Sequence, residues 1–468
     1  MASDQPARKT ARSGAKATTR TKKPARRSEA KTVAPSRSPR KVQTQAPKKR
    51  PSKAKVAPSR GRLRLVPTEG GKRSKKDAAA SARVSVFLLL IPTGLLIVLG
   101  LVMVQSAGSI SAVEGYGGNG FWYFQRQLIY AVVGVIVLAF AWRLPYRAWQ
   151  RLAVPMLVVS LPLMIVALHP TAGTSFEGAS RWIDLGPVTL QPAEFLKLAM
   201  VVFTATILTR KWKRLDDPAH LLLPLAPVLA VVATLVLLQN DLGTTSIICL
   251  SVFVMLFVAG VRGRHITIAG LTGVLAGALL IFGTPYRRTR FLDAWLSPAS
   301  HAQDAGYQLI QGLIALGSGG WLGVGLGNSR QKWDYLPNAH SDFIFAIIGE
   351  ELGLIGAIAV VATFAVLVFA GVRIAVRAPD TFGRLLASGI VAWIGLQAIV
   401  NMGAVTGLLP ITGIPLPFVS FGGTALVVTL AGIGVLASIA RGNAPAAPLR
   451  GRSRRGRAAP KAAPKAAS

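Results

Sequence analysis

Ten apolar segments between residues 84 and 440 constrain the fold of this chain more than any other feature. A transmembrane helix needs about 20 apolar residues to cross a hydrocarbon core of about 30 Å. Backbone polar groups in that core must be satisfied within the segment, so such segments are helical. The sequence therefore predicts an all-α polytopic membrane protein with about ten transmembrane helices. We place the segments at residues 84–105, 128–142, 152–168, 190–208, 221–238, 242–261, 266–282, 343–370, 385–408 and 422–440.

Basic residues are concentrated at the two ends of the chain. Residues 1–83 hold 26 Lys or Arg and four acidic residues, and residues 441–468 hold eight basic residues and no acid, so the ends carry 30 of the 36 net positive charges. Such sequences bury too little apolar surface to order themselves, which predicts disordered tails around a core at residues 84–440. Because the tails lack aromatic residues, we expect them to contact membrane lipids and predict no nucleic-acid partner.

The charge of the connecting loops predicts the orientation. An even number of spans places both tails on one side of the membrane. The four loops on that side contain three, four, two and three basic residues, whereas the short loops opposite contain one or none. Basic loops stay in the cytoplasm. We therefore expect a multi-pass protein of the cytoplasmic membrane with both termini cytoplasmic and a large external loop at residues 283–340.

Charged residues near the external end of the fourth span require an explanation. Glu194 and Lys197 are three residues apart and share one helix face, and Arg181 precedes that span. Charges within spans usually face a protein interior or a watery cavity and mark function. A buried pair that only stabilises the structure is the alternative for Glu194 and Lys197.

The eighth span carries two glutamates and follows an aspartate. Glu350 lies eight residues after Asp342 and returns to within about 80° of it on a helix, so the two carboxylates could share a groove. Glu351 is turned away and is expected to serve packing. The alternative is a helix cap for Asp342 and interhelical hydrogen bonds for both glutamates.

Two other external segments have distinctive sequences. Asp241 in QNDLGTTS is expected to cap a helix, since a short turn precedes an apolar segment. The segment LPITGIPLPFVSFGGTA has three prolines and three glycines between the ninth and tenth spans. Irregular backbone is tolerated at membrane depth only where protein or water satisfies it. This segment therefore lines a cavity or dips into the membrane, unless it is a plain connector.

Several motifs resemble one known family. They are RWIDLG, LQPAEFLKLA, NDLGTT, AGYQLIQGLIALGSGGWLGVGLGNS, LPNAHSDFIFAIIGEELG and LPITGIPLPFVSFGGT. In this order they resemble the SEDS family of peptidoglycan glycosyltransferases, of the FtsW/RodA/SpoVE type, and most of all its FtsW branch. The resemblance implies polymerisation of lipid II at the outer face of the cytoplasmic membrane during cell division. It also implies a septal location, and a class B penicillin-binding transpeptidase and other divisome proteins as partners.

The resemblance implies a catalytic acid in the large external loop, at the aspartate of a pattern like Pro-x-x-Asp-Pro-x-Gly-x-Gly-Tyr-Gln. In this chain that position holds His301, and the nearest acid is Asp304. Three interpretations remain open: Asp304 takes the role through a shift of the loop, His301 is the base, or the enzyme is weak or inactive. A histidine, with a reference pKa of about 6.5, can accept a proton at neutral pH.

The resemblance assigns the other predicted site residues to substrate binding. Arg181, Glu194 and Lys197 match the family's polar cluster, and Arg181 or Lys197 would meet the diphosphate. Arg287 and Arg288 could also bind the anionic head group, although contact with bilayer phosphate explains them equally well. Asp342 and Glu350 complete the predicted set.

The sequence also bears on a metal and on two other functions. No compact metal-ligand spacing occurs in the sequence, so a divalent cation such as Mg²⁺ or Mn²⁺ would be shared with the substrate diphosphate. Buried charges and Pro/Gly-broken segments also suit a flippase or transporter of the lipid-linked precursor. A non-catalytic divisome scaffold that holds a transpeptidase is the third interpretation.

Overall fold

The computed structural model describes residues 70–169, 173–176, 179–184, 186, 189–215, 217–283, 288–303 and 306–442. These residues form a helical membrane bundle with one small sheet. The helices are α1 (Gly70–Gly115), α2 (Trp122–Arg143), α3 (Tyr146–Leu168), α4 (Pro192–Arg210), α5 (Pro218–Leu238), α6 (Leu242–Val258), α7 (Gly263–Phe282), α8 (Tyr307–Ser318), α9 (Ile344–Val376), α10 (Thr381–Val405) and α11 (Gly423–Gly442).

The helices confirm the predicted all-α membrane class. Eight of the described helices are long and apolar enough to cross a membrane, namely α1 from Ala80, α2, α3, α4, α7, α9, α10 and α11. The apolar stretches Leu223–Leu238 of α5 and Leu242–Val258 of α6 are shorter and coincide with the predicted fifth and sixth spans. With the eight longer helices, they coincide with the ten apolar segments predicted from the sequence.

Three features of the fold differ from the sequence-based expectation. Helix α1 begins at Gly70 and not near residue 84, and its 46 residues make it about 69 Å long, so it extends beyond the bilayer. Helix α8 forms inside the predicted external loop. The connection before α4 contains an antiparallel sheet of β1 (Gly173–Phe176), β2 (Ala179–Asp184) and β3 (Thr189–Leu190) in that order.

Buried helices form the centre of the bundle, and small residues let them approach closely. Most of α4, α10 and α11 is buried, whereas no residue of α7 is. Helix α11 packs along α2, where a Cβ at Gly434 would overlap the carbonyl oxygen of Leu138. Small residues of this kind drive helix association in membranes, because they permit close backbone contact.

One end of the bundle is fastened by polar contacts around Asp380. The Asp380 carboxylate caps α10 through the Gly383 amide at 2.8 Å, accepts a hydrogen bond from the Tyr146 hydroxyl at 2.8 Å and pairs with Arg147 at 2.9 Å. Ser438 of α11 donates to the Leu144 carbonyl at 2.6 Å. We call this end, which includes the end of α11, the tail side and the opposite end the loop side. Residues 1–69 and 443–468, most of the predicted tails, lie outside the described residues.

Candidate functional site

A buried ion pair lies at the loop-side start of α4. Pro192 occupies the first turn of the helix, and Glu194 follows it, where the helix dipole favours an anion. Lys197 lies 2.8 Å from the Glu194 carboxylate, and both side chains are 2% exposed. The Lys197 ammonium also donates to the Gln397 side-chain oxygen at 2.9 Å and lies 5.5 Å from the centre of the Trp393 ring. The structure thus confirms that Glu194 and Lys197 share one face.

Two amide side chains of α10 connect this pair to the non-helical segment 406–422, which we call the proline segment. The Gln397 amide donates to the Pro415 carbonyl at 2.9 Å, and the Asn401 amide donates to the Ile414 carbonyl at 2.8 Å. Gln397 lies eight residues before the end of α10, so the proline segment reaches about 12 Å below that end. The segment therefore dips into the bundle, with side chains satisfying its carbonyls, which is one of the alternatives that the sequence left open.

Asp342 belongs to the same cluster. Helix α9 begins at Ile344, so Asp342 lies in the preceding turn and does not start the helix. The Asn401 amide donates to the Asp342 backbone carbonyl at 2.8 Å. Gly413 approaches the Asp342 carboxylate, since a Cβ there would lie 3.4 Å from its oxygen. Hydrogen bonds and contacts thus connect Glu194, Lys197 and Asp342 through α10 and the proline segment. We call these three residues, with Gln397 and Asn401, the loop-side polar cluster.

Some buried polar atoms around the cluster lack a hydrogen-bond partner among the described residues. They include Glu194 Oε2, Asn401 Oδ1 and Thr412 Oγ1. Buried polar atoms are costly to leave unsatisfied, so a water or a ligand is expected at such positions. A cavity of about 10 Å³ lies beside Lys197, Ser251 and Trp393, which is room for about one water.

Glu350 anchors the loop that precedes α9. Its carboxylate accepts hydrogen bonds from the Ser329 hydroxyl at 2.5 Å and from the Arg330 amide at 2.9 Å. The side chain is 1% exposed. The observed contacts of Glu350 are therefore structural hydrogen bonds, which was the alternative interpretation. Its role in substrate binding remains a prediction.

Glu351 links the same loop before α9 to helix α1. Its carboxylate accepts hydrogen bonds from the Ser106 hydroxyl of α1 at 2.6 Å and from the Ser329 amide at 3.3 Å. Lys332 lies 3.9 Å from it and donates to the Gly327 carbonyl. Adjacent glutamates on one helix thus fasten a glycine-rich loop to the bundle.

Arg181 fastens the turn between α5 and α6. Its guanidinium donates to the carbonyls of Gln239 at 3.0 Å and Asn240 at 2.7 Å. In the same turn the Asp241 carboxylate accepts from the Thr244 amide at 2.8 Å, which confirms the predicted helix cap. No hydrogen bond or ion pair among the described residues joins Arg181 to the loop-side polar cluster.

The structure describes part of the large external loop, including His301, one of the two candidate bases. His301 ends a short helical turn, Pro298–His301, and its carbonyl accepts from the Gly306 amide at 2.9 Å. The Trp295 indole of the preceding turn donates to the Gly407 carbonyl at 2.8 Å, so this part of the loop touches the proline segment. Asp304 lies outside the described residues.

Of the two loop arginines predicted to bind substrate, the structure describes only Arg288. Arg288 lies 3.7 Å from Asp293, and its side chain is largely exposed. An exposed ion pair of this kind is weak, so the Arg288 guanidinium is only loosely held. Arg287 lies outside the described residues.

His340 is a neutral histidine at the loop-side surface of the bundle. It lies in the turn before α9, with its ring 4.2 Å from that of Tyr123 and 5.8 Å from that of Phe421. Burial among these rings lowers the pKa of His340 to about 4. The imidazole is therefore uncharged at neutral pH.

The described residues do not by themselves fit a divalent cation. No three His, Cys, Asp or Glu side chains converge anywhere in the described part of the chain. Lys197 already neutralises Glu194, and the Glu350 oxygens already accept hydrogen bonds.

Gln397 and Asn401 were not predicted from the sequence. Their signal is present in it, because Trp393, Gln397 and Asn401 recur every four residues and so share one face of an otherwise apolar span. Amides attract less attention than charges, yet these two connect α4, α9 and the proline segment.

Known proteins resemble this chain over its whole membrane core. The model of the FtsW/RodA/SpoVE family, described as a cell cycle protein, matches residues 87–444. The chain is 44% identical over 340 residues to the probable peptidoglycan glycosyltransferase FtsW of Geobacter sulfurreducens, which covers 73% of this chain and 91% of that protein. It is 40% identical over 354 residues to stage V sporulation protein E of Bacillus subtilis, with 76% and 96% covered.

Solved structures of similar sequence share the fold. One is a chain from a study of the structural coordination of polymerization and crosslinking by a peptidoglycan synthase complex, with TM-score 0.62 and 28% identity over 76% of this chain and 97% of that chain. Another is the rod shape determining protein RodA of Thermus thermophilus, with TM-score 0.55 and 28% identity over 76% and 96%. The family match and these relatives agree with the motifs and the helical membrane bundle, and the chain belongs to the FtsW/RodA/SpoVE family of cell cycle proteins.

Proposed function

We propose that this protein is a peptidoglycan glycosyltransferase that polymerises lipid II into glycan strands during cell division. Family membership and the names of relatives that are 40–44% identical support this activity. The observation that carries the proposal is the loop-side polar cluster in a chain of this family. Lys197 lies five residues into α4, only about 8 Å along the helix, which suits chemistry at a membrane surface better than transport through the midplane.

In the proposed reaction, a sugar hydroxyl of one substrate attacks the anomeric carbon of the other. A glycosidic C–O bond forms, the bond to the diphosphate breaks, and undecaprenyl diphosphate leaves with the bonding electron pair. A base accepts the proton of the attacking hydroxyl. His301 and Asp304 remain the two candidates for this base.

The charged side chains of the site are of two kinds. Some are held by buried partners, and others are free enough to contact a substrate. Lys197 is held by Glu194 and Gln397, so we assign it the task of fixing the outer ends of α4 and α10 beside the proline segment. Arg288 is exposed and only loosely paired, so it is the better candidate among the described residues for contact with the diphosphate. The Arg181 guanidinium donates to two backbone carbonyls, and its other N–H groups can bind an anion.

The proposed orientation has the tail side in the cytoplasm and the loop side outside, where lipid II is polymerised. The basic loops of the tail side favour this orientation. We further propose a septal location and a class B penicillin-binding transpeptidase as partner. The similarity to a chain of a peptidoglycan synthase complex supports such a partner.

Glycan-strand formation from purified lipid II tests the proposal. The full-length protein with its transpeptidase is compared with the Asp304→Asn and His301→Ala variants. We expect polymer from the wild type and a loss of at least about 100-fold in the variant that removes the base, since a general base contributes about 10²–10⁴-fold. An inert wild type beside an active unrelated polymerase would favour the scaffold or transporter interpretation.

A further inference from the structure

Two arginines at the tail-side end of α9 converge on one serine of α1. Arg373 donates to the Ser81 hydroxyl at 3.4 Å and to the Ser85 hydroxyl at 3.2 Å, and Arg377 also donates to the Ser81 hydroxyl. Ser81 and Ser85 are one turn apart on α1, and Arg373 and Arg377 are one turn apart on α9. The four side chains therefore form a single polar cluster between two helices, which we call the α1–α9 arginine cluster.

Among the side chains that the structure describes, which on α1 begin at Ala80, no carboxylate forms an ion pair with this cluster. The described ion pairs engage Arg147, Lys197, Arg288 and Lys332. Arg373 and Arg377 instead direct guanidinium donors at uncharged hydroxyl groups. A guanidinium has five donors in a planar fork that matches phosphate oxygens. Two of them around one hydroxyl form a site that an anionic group would complete.

The depth of the cluster matches the phosphate level of a bilayer. Arg373 lies three residues before Val376, the last residue of α9, and the 33 residues of α9 exceed the roughly 20 that are needed to cross a bilayer core. The hydrocarbon core is only about 30 Å thick. The guanidinium groups therefore lie beyond the acyl chains, among lipid head groups.

Exposed apolar side chains lead from the cluster toward the middle of the membrane. Ile91 and Leu95 lie on α1 within about 80° of Ser81, and both are exposed. Phe369 lies one turn before Arg373 on α9 and is 58% exposed. Helices α1 and α9 pack against each other, so these side chains flank a seam where an acyl chain could lie.

We propose that the α1–α9 arginine cluster binds the phosphate of an anionic phospholipid, such as phosphatidylglycerol, in the leaflet on the tail side. Arg373 and Arg377 contact the phosphate oxygens, the Ser81 hydroxyl donates to them, and an acyl chain follows Ile91, Leu95 and Phe369. The buried Ser85 hydroxyl donates to the Ser81 carbonyl at 3.0 Å and accepts from Arg373, so it orients this arginine and does not contact the lipid. The bound lipid joins α1 to α9 at the end opposite the loop-side polar cluster. This proposal does not depend on the proposed enzymatic function.

Native mass spectrometry of the purified full-length protein in detergent tests this site. The wild type is titrated with phosphatidylglycerol and, separately, with phosphatidylcholine of the same acyl chains. We expect the Arg373→Gln/Arg377→Gln variant to bind phosphatidylglycerol at least about tenfold more weakly than the wild type, because it loses charge-assisted hydrogen bonds. The basic tails are identical in both proteins, so the difference reports on the cluster alone.

Arg83→Gln is the matched control. Arg83 is an exposed arginine of α1 that is turned about 200° away from Ser81, and we expect its removal to change binding less than twofold. Equal losses in the control and the double variant would show that only general positive charge matters and would overturn the proposal. Equal binding of the two lipids by the wild type would overturn it as well.

Two further arms separate lipid from other occupants. Displacement of phosphatidylglycerol by millimolar inorganic phosphate would identify a soluble phosphate as the ligand and contradict a lipid site. If the double variant does not fold, Arg377→Gln alone serves, because Arg373 still joins α9 to α1. We expect it to weaken binding about threefold, and unchanged binding would overturn the proposal.

Discussion

At the scale of single residues, the free-energy cost of burial decides what the charged side chains of the loop side can do. Lys197 and Glu194 are removed from water together and are stable only as a pair, with Gln397 as an additional acceptor for the lysine. Arg288, by contrast, keeps most of its side chain in solvent. A buried ion pair therefore fixes geometry, and an exposed cation can meet a substrate.

Lys197→Met should destabilise the protein strongly, because it leaves the Glu194 carboxylate buried without its counter-charge. We expect a loss of about 3–5 kcal/mol in the free energy of unfolding, measured by thermal denaturation in detergent. The double variant Glu194→Gln/Lys197→Met removes both charges and should recover most of this loss. If Lys197 also acts on the substrate, the recovered double variant stays inactive in strand formation, and full activity would restrict Lys197 to a structural role.

His340 should make the protein sensitive to mild acid. Its pKa of about 4 in the folded protein lies below the value of about 6.5 expected after unfolding, so the unfolded state binds the proton more readily. Stability from this group is complete above pH 6.5 and falls as the pH drops toward 4, by about 2 kcal/mol at pH 5.

Thermal denaturation of wild type and His340→Phe at pH 7.5 and pH 5 tests this origin of acid sensitivity. Phenylalanine keeps the ring contacts with Tyr123 and Phe421 and removes the titrating group. The variant should lose less stability between the two pH values than the wild type. An identical loss in both proteins would assign the acid sensitivity to other groups.

At the scale of secondary-structure elements, α9 is two helical segments joined at a glycine. Gly353 has φ 69° and ψ −170°, a backbone conformation that is almost confined to glycine. At this break the residues 320–325 pair with the helix, because the Val324 and Gly325 amides donate to the carbonyls of Glu350 and Glu351 at 3.0 and 3.1 Å. The break thus creates the place where the glycine-rich loop attaches.

Gly353→Ala should detach this loop. A Cβ at Gly353 would overlap the Gly323 nitrogen, and alanine is strained at this φ. We expect a loss of about 2–3 kcal/mol in the free energy of unfolding and faster amide hydrogen exchange at residues 319–330.

Gly277→Ala in α7 is the control for this substitution. Nothing lies within 4 Å of a Cβ at Gly277, and its backbone is helical, so alanine should be neutral or stabilise by up to about 1 kcal/mol. If Gly353→Ala behaved like this control, the proposed attachment of the loop at the break would be contradicted.

At the scale of the whole molecule, the described fold is one bundle whose two ends have different tasks. The tail side carries structural fastenings such as Asp380 with Tyr146 and Arg147. The loop side carries the buried ion pair, the proline segment and the loop with His301. Residues 1–66, which lie outside the described residues, hold much of the positive charge of the protein.

Deletion of residues 1–66 should leave strand formation in detergent within about twofold of the full-length protein, because the deletion keeps α1 whole from Gly70. The thermal midpoint of the bundle should also stay the same, since charged tails of this composition add little buried surface. Polymerisation from purified lipid II and thermal denaturation measure the two effects. A large loss of activity at an unchanged thermal midpoint would make the tail part of the catalytic unit.

The sequence by itself determined the apolar helices of this protein, but not helix α8 or the small sheet. Apolar length located the eight helices long enough to span and the two shorter apolar helices, because the bilayer leaves the backbone no alternative to helix. Spacing placed Glu194 and Lys197 on one face. It also indicated the Asp241 cap and the descent of the proline segment. These features depend on neighbours in the chain or on the membrane, so local pattern suffices to predict them.

Only the tertiary structure decided which distant groups meet. Asp342 and Glu350 are eight residues apart on the chain, yet the first contacts Asn401 through its carbonyl and the second binds Ser329. The bonds of Lys197 to Gln397, of Trp295 to Gly407 and of Arg373 to Ser81 join residues at least 100 positions apart. Such contacts arise from helix packing, which depends on the shapes of all the faces at once, and no periodicity in one segment encodes them.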